Sequence, residues 1–408
     1  MSQAINDKKA IKELLTRGVE KIYPTAAELE KKLLSGEKIR LYCGYDPSAP
    51  ALHIGNAITL NKMSQFQALG HEVIFLVGDF TCMIGDPTDK KAARKKMTRE
   101  EVLRNARDYQ HQASAYLKFD GDNPAKMLYN SAWNDKLDFK ELIELSSYFT
   151  VQQMIQRDMF QERLKEEKPI YLNEFLYPLT QAYDSVMMDV DLEIGGNDQM
   201  FNMMCGRGLM KTLKNKEKFV LTLKLLADET GKKMGKSEGN VVFLNETPNN
   251  MYGQIMSWPD NILYSAFELC TNIPTAELEK ISQQLKEGKV NPRDLKMKLA
   301  LEITRINHGE QAAQEAQDNF IRTIQKKEAP TEMMEWRAER EKYSLVDLLV
   351  AVNLAESKTE ARRLIEQGAI KINLDGQWKL AQDVKEQITI KSDLALQRGK
   401  LRFIKVIR

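Results

Sequence analysis

The chain has 408 residues, 42% of them hydrophobic and 29% charged, and its net charge is +2. That length accommodates two or three domains with a large core. The near-zero balance excludes a chain that is basic throughout, and no apolar run approaches the roughly 18 residues needed to span a membrane.

The N-terminal stretch MSQAINDKKAIKELLTRG is polar and does not read as a signal peptide. In residues 8–34 the apolar positions Ile11, Leu14, Leu15, Leu29, Leu33 and Leu34 have helical spacing, which predicts two amphipathic helices broken at Pro24. Lys38–Asp46 predicts a strand entering a turn. A helix from about His53 to Leu69 follows, closed by Gly70, and then a second strand over Glu72–Val77. Strand, helix and strand in that order form a βαβ unit, hence a parallel sheet whose ligands sit at the carboxyl ends of the strands. Residues 99–170 are mostly helical by pattern, and residues 221–226 (LTLKLL) form a further predicted strand. Residues 247–330 are again helical, and the polar stretch 327–342 suits a linker. From Tyr343 a small module begins, with two short helices and strands around AIKIN and FIKVI. It holds twelve Lys and Arg against eight Asp and Glu, a net of +4, so the preceding residues carry −2. A basic tail on a near-neutral body points to nucleic acid or to a solvated surface. The four cysteines, Cys43, Cys82, Cys205 and Cys270, are widely spaced and form no C-x-x-C pair. That argues against a disulfide framework or a zinc site and fits a reducing, cytoplasmic setting.

Two motifs carry phosphate chemistry. His53-Ile54-Gly55-Asn56 opens a helix after a strand, where free N–H groups and the dipole favour phosphate. Gly55 lets a nucleotide approach the backbone, and Asp46-Pro47-Ser48-Ala49-Pro50 brings Ser48 to the same mouth. Lys233-Met234-Gly235-Lys236-Ser237 puts two lysines and a hydroxyl on a loop suited to a departing pyrophosphate. Either motif alone also fits an ordinary helix start or a solvated loop. Mid-chain, Tyr177, Gln181 and Asp184 are spaced i, i+4, i+7, so a helix places a phenol, an amide and a carboxylate on one side. Such a stripe implies either a polar ligand or a buried hydrogen-bond network.

As a pair, the two motifs resemble the signatures of class I aminoacyl-tRNA synthetases, with Asn56 where a second His is usual and Gly235 where a Ser is usual. The stretches Leu41–Pro47, Tyr177–Asp184 and Gly195–Gln199 further resemble the tyrosyl-tRNA synthetases, and the likeness runs along essentially the whole chain. The resemblance implies an α/β, Rossmann-like catalytic domain over 1–246 with a helical insertion at about 100–170. It implies a helical anticodon-binding domain over 247–330, a linker over 331–342 and an α+β, S4-like RNA-binding module over 343–408. The implied activity joins tyrosine to ATP, with Mg²⁺ accompanying the nucleotide, and then to tRNA(Tyr), in a cytoplasmic homodimer with no membrane or DNA partner. His53, Asn56, Lys233, Lys236 and Ser237 would be catalytic. Tyr42 and Asp184 would hold the substrate phenol, Asp86, Tyr177 and Gln181 its ammonium, and Gln199 its carboxylate, with Thr81 and Asn130 in the same pocket. Ser48, Gly55, Gly196, Asp198 and Lys236 would hold ATP, and Lys358, Arg362 and Arg363 would contact RNA. A tryptophan-specific relative, a nucleotidylyltransferase sharing the first motif and a non-enzymatic RNA-binding protein are the competing readings.

Overall fold

Six strands form the main sheet: β1 (Val19–Tyr23), β2 (Arg40–Tyr45), β3 (Glu72–Val77), β4 (Lys126–Tyr129), β5 (Leu192–Gly196) and β6 (Phe219–Leu223). The computed structural model describes residues 4–88, 97–227, 241–288, 290–325, 333–374, 377–399 and 402–408. The strand order is β1-β6-β5-β2-β3-β4. Among the described residues of this sheet, β1 alone is antiparallel to its neighbour; the other ladders are parallel. In β3 every residue after Glu72 is buried, as expected of a parallel strand covered on both faces. The helix Ile54–Ala68 connects β2 to β3 and is buried almost all round, Asn61, Lys62 and Gln67 included. Lys62 is satisfied there by donating to the carbonyls of Leu14 (2.7 Å) and Arg17 (2.9 Å). The helix Met200–Lys214 connects β5 to β6 and packs on the long helix Leu172–Met188.

The strand order reverses between β2 and β5. From β2 the chain steps outward through β3 to β4, and from β5 it steps the other way to β6. Across this junction Tyr42 pairs with Glu193. A crevice outside the carboxyl ends of the strands at such a reversal is the general ligand site of open α/β sheets.

Three stretches differ from the sequence expectation. Residues 8–34 hold not two helices alone but β1 between the helices Lys8–Thr16 and Ala26–Leu34. The helical stretch 100–170 contains β4, which extends the sheet beside β3. The expected linker 331–342 contains β7 (Met334–Arg337) and the first residue of β8 (Lys342–Ser344). β7 pairs in parallel with the last strand of the module, so it belongs to that module's sheet.

The chain divides into two units, Met1–Glu310 and Gln311–Arg408. The first holds the main sheet, its helices and the helices from Pro248–Met256 to Pro292–His308. Arg17 ties these later helices to the N-terminal segment by donating to the carbonyls of Phe267 (3.2 Å) and Thr271 (2.7 Å). Beyond β7 and β8, the second unit contains β9 (Ile370–Leu374), β10 (Gln377–Leu380), β11 (Gln387–Thr389), β12 (Leu394–Arg398) and β13 (Arg402–Ile407). A sheet of order β10-β9-β12-β13-β7 and a β8–β11 pair enclose a core with the helices Leu345–Ala351 and Lys358–Glu366.

Candidate active site

β2 runs through Asp46 and two prolines into His53, the N-cap of the helix Ile54–Ala68. The His53 Nδ1 accepts from the Gly55 N–H at 3.1 Å, and the Asn56 Oδ1 accepts from the His53 N–H at 3.0 Å. This reciprocal capping satisfies two N–H groups at the helix start and leaves the ring hydrogen of a neutral His53 on Nε2. A Cβ on Gly55 would lie 2.9 Å from His53 Cε1, so the glycine lets the ring fold over the backbone. The same segment is held from its other side. The Ile54 N–H donates to the Val242 carbonyl (2.9 Å) and the Leu244 N–H to that of Leu52 (2.8 Å). The chain that follows the lysine-rich motif is thus fastened beside the first motif. Lys233, Lys236 and Ser237 themselves, like Gly235, lie outside the described residues.

Deeper in, the helix Leu172–Met188 presents Tyr177, Gln181 and Asp184. Asp184 Oδ1 accepts from Trp133 Nε1 (2.7 Å) and Asn134 Nδ2 (3.0 Å), and Oδ2 accepts from Asn130 Nδ2 (3.1 Å). Burial pushes its carboxyl up to about 8, against the pull of these donors. The Tyr42 hydroxyl lies 2.9 Å from Ser185 Oγ. Gln181 Nε2 donates to Glu193 Oε1 at 2.9 Å. A carboxylate only accepts, so the amide nitrogen must face it, and the Gln181 carbonyl oxygen remains as an acceptor.

Toward the mouth, the Tyr177 hydroxyl donates to Asp46 Oδ2 (2.9 Å) and Thr81 Oγ1 donates to Oδ1 (2.7 Å). Burial pushes the Asp46 carboxyl up to about 7. A Cβ on Gly78 would meet Asp46 Oδ1 at 2.0 Å, so only glycine allows the carboxylate there. Gln199 Nε2 donates to Asp86 Oδ2 (2.6 Å), and Asn202 Nδ2 donates to Gln199 Oε1 (2.8 Å). At Gly196 a Cβ would lie 2.6 Å from Asp198 Oδ1.

Every described candidate for amino acid or nucleotide lines one cavity of about 480 Å³: Tyr42, Ser48, His53, Gly55, Asn56, Asp86, Tyr177, Gln181, Asp184, Gly196, Asp198 and Gln199. Thr81 and Asn130 line it as well. Lys358, Arg362 and Arg363 are in the second unit, exposed on the helix Lys358–Glu366 over its buried Ala361, Leu364 and Ile365. Lys358 makes an exposed ion pair with Asp347 at 2.7 Å. Sequence reasoning missed the roles of Asp46, Ser185, Glu193 and Lys218. An acid within the apolar strand LEIGG is the signal for Glu193; Ser185 and Lys218 carry none.

The family of "tRNA synthetases class I (W and Y)" matches residues 34–325, and the "Tyrosine--tRNA ligase SYY-like C-terminal domain" matches residues 325–406. The chain belongs to the class I tRNA synthetases of the tryptophan and tyrosine group. Among curated relatives, the tyrosine–tRNA ligase of Thermotoga maritima is 42% identical over 93% of each chain. That of Haemophilus ducreyi is 41% identical over 100% of this chain and 99% of its own. The fold is shared with tyrosyl-tRNA synthetase of Archaeoglobus fulgidus complexed with L-tyrosine, at TM-score 0.60 and 22% identity, covering 76% of this chain and 100% of the other. A C-terminally truncated Aspergillus nidulans mitochondrial tyrosyl-tRNA synthetase gives TM-score 0.64 at 20% identity over 77% and 93%.

Proposed function

We propose that the chain is a tyrosine–tRNA ligase that forms tyrosyl-adenylate from tyrosine and ATP and transfers the tyrosyl group to tRNA(Tyr). The observation that carries this is the single cavity joining Tyr42 and Asp184 to the helix start at His53 and Asn56. A hydroxyl and a carboxyl group in one buried place suit a phenol, which both accepts and donates. An indole N–H only donates, which disfavours tryptophan. Asp86, Tyr177 and Gln181 receive the ammonium, and Gln199 faces the carboxylate. Ser48, Gly55, Gly196 and Asp198 receive the nucleotide.

The tyrosine carboxylate oxygen attacks the α-phosphorus and the bond to pyrophosphate breaks. The terminal ribose hydroxyl of tRNA then attacks the acyl carbon, and AMP leaves. Neither step needs a covalent enzyme intermediate, so positioning and electrostatic stabilisation dominate. His53 and Asn56 act on the phosphates from the helix start. Lys233, Lys236 and Ser237 act on the leaving pyrophosphate. Mg²⁺ enters with the ATP, held mainly by its phosphates and water. The helices from Pro248 bind the anticodon region, and Lys358, Arg362 and Arg363 bind RNA phosphate. Phe139 (78% exposed), Ile143, Val151, Tyr171 and Leu172 (80%) present apolar surface that a second copy would cover; light scattering should give a dimer. Charging takes place in the cytoplasm. ATP–pyrophosphate exchange with each amino acid in turn tests the assignment: tyrosine alone should support rapid exchange, and exchange with tryptophan instead would overturn it.

A further inference from the structure

Behind Tyr42 lies a polar network of which Lys218 and Ser185 do not line the cavity. Lys218 is wholly buried, at 0% exposure, and so is Ser185; Glu193 and Tyr42 are nearly so. Lys218 Nζ contacts Glu193 Oε2 as an ion pair and donates to Ser185 Oγ at 2.9 Å. Ser185 Oγ in turn lies 2.9 Å from the Tyr42 hydroxyl and 3.5 Å from Glu193 Oε2. The helix Met200–Lys214 makes room for this group at Gly206, where a Cβ would lie 2.5 Å from Lys218 Nζ and 2.8 Å from Ser185 Oγ.

The donors and acceptors impose a direction. An ammonium only donates, so Ser185 Oγ accepts from Lys218. Its own hydrogen can go to Tyr42 or to Glu193. O–H···O bonds span about 2.5–3.0 Å, so the 2.9 Å contact to Tyr42 takes it and the 3.5 Å contact does not. Tyr42 then accepts from Ser185, and its own hydrogen is directed to the cavity side, where the substrate phenol competes for it with Glu193. Burial pushes the Tyr42 hydroxyl well above its ordinary range, so it keeps that hydrogen.

We propose that Lys218 and Ser185 are positioning residues for tyrosine selection. They form a one-way chain, Lys218 to Ser185 to Tyr42 to substrate phenol to Asp184, that turns the Tyr42 hydroxyl into a fixed donor. This rests on the reading that Tyr42 and Asp184 hold the substrate phenol. With phenylalanine bound, the Tyr42 hydrogen loses its phenol acceptor, and the chain prevents it from turning back to Ser185. Selectivity therefore depends on Ser185, which never touches substrate.

The test is a double-mutant cycle on the ratio of kcat/KM for tyrosine to kcat/KM for phenylalanine, read by ATP–pyrophosphate exchange. Ser185→Ala should lower the ratio roughly fivefold, the scale of one neutral hydrogen bond, with KM for ATP unchanged. Tyr42→Phe should lower it at least as much. In the Tyr42→Phe background, Ser185→Ala should do nothing further, because Ser185 acts through Tyr42. Ser185→Cys, which keeps a weak donor, should fall between wild type and Ser185→Ala. An equal loss for both amino acids, or an effect that persists without the Tyr42 hydroxyl, would mean a merely structural serine and overturn the proposal. If Tyr42→Phe lowers the ratio and Ser185→Ala does not, the chain alone is wrong. If Tyr42→Phe leaves the ratio unchanged, the phenol reading fails and the chain fails with it.

Discussion

Substitution of Asn56 separates the two tasks that the residue performs. Asn56→Ala removes the Oδ1 that accepts from the His53 N–H at 3.0 Å, and with it half of the capping box. Loss of a helix cap costs about 1 kcal/mol, which in a unit of this size lowers Tm by about 2 °C. The same change strips an amide from the cavity wall. If that amide donates to phosphate, a bond worth about 1.5–3 kcal/mol disappears, and kcat/KM for ATP falls by roughly 10- to 100-fold. Asn56→Asp behaves differently. It keeps the acceptor and places negative charge at a helix N-terminus, which favours folding by about 0.3–1 kcal/mol. Its Tm should hold or rise, while the carboxylate repels ATP and exchange falls at least as far as in the alanine variant. Thermal unfolding and tyrosine-dependent exchange, run on both variants, decide the matter. Full exchange in the aspartate variant would show that no phosphate approaches this position. An unchanged Tm in the alanine variant would show that the cap contributes nothing.

Three further outcomes are expected. The Asp184 carboxyl lies near 8 in the fold against an ordinary 3.8, so the folded form holds the extra proton between those values and its stability contribution declines as pH rises. The stability of wild type minus that of Asp184→Asn, from urea unfolding, should fall from pH 4 to about 8 and then level off; a pH-independent difference refutes this. Lys236→Ala should lower kcat for adenylate formation more than it raises KM for ATP, because charge on pyrophosphate grows only in the transition state; a change in KM alone counts against it. A chain ending at residue 325, where the two family matches meet, should keep exchange and lose most transfer to tRNA. One ending at Glu341 should aggregate more, since it retains β7 without β13; equal solubility of the two would count against this.

The legible parts of the site were those set by local spacing. Tyr177, Gln181 and Asp184 fall on one side of a helix whatever the helix packs against, and His53 and Asn56 are three residues apart at a helix start. What stayed hidden depends on distant register. Lys218 meets Glu193 only because β6 aligns with β5 so that Val220 lies opposite Glu193. Neither residue signals that alignment. Short strands were missed for a related reason. β4 has four residues inside a helical stretch, and β7 has four in a polar one. In both, pairing with a formed sheet decides the conformation where local propensity does not.

The antiparallel edge of the main sheet has a consequence for synthesis. β1 lies about 200 residues ahead of its antiparallel partner β6, with Val19 opposite Leu223. At about 5–20 residues per second, the strand waits roughly 10–40 s for that partner to be made. An unpaired strand invites association with other nascent chains. Glu20 and Lys21 occupy the middle of β1 and remain exposed in the finished protein. Charged side chains on an unpaired strand oppose such association.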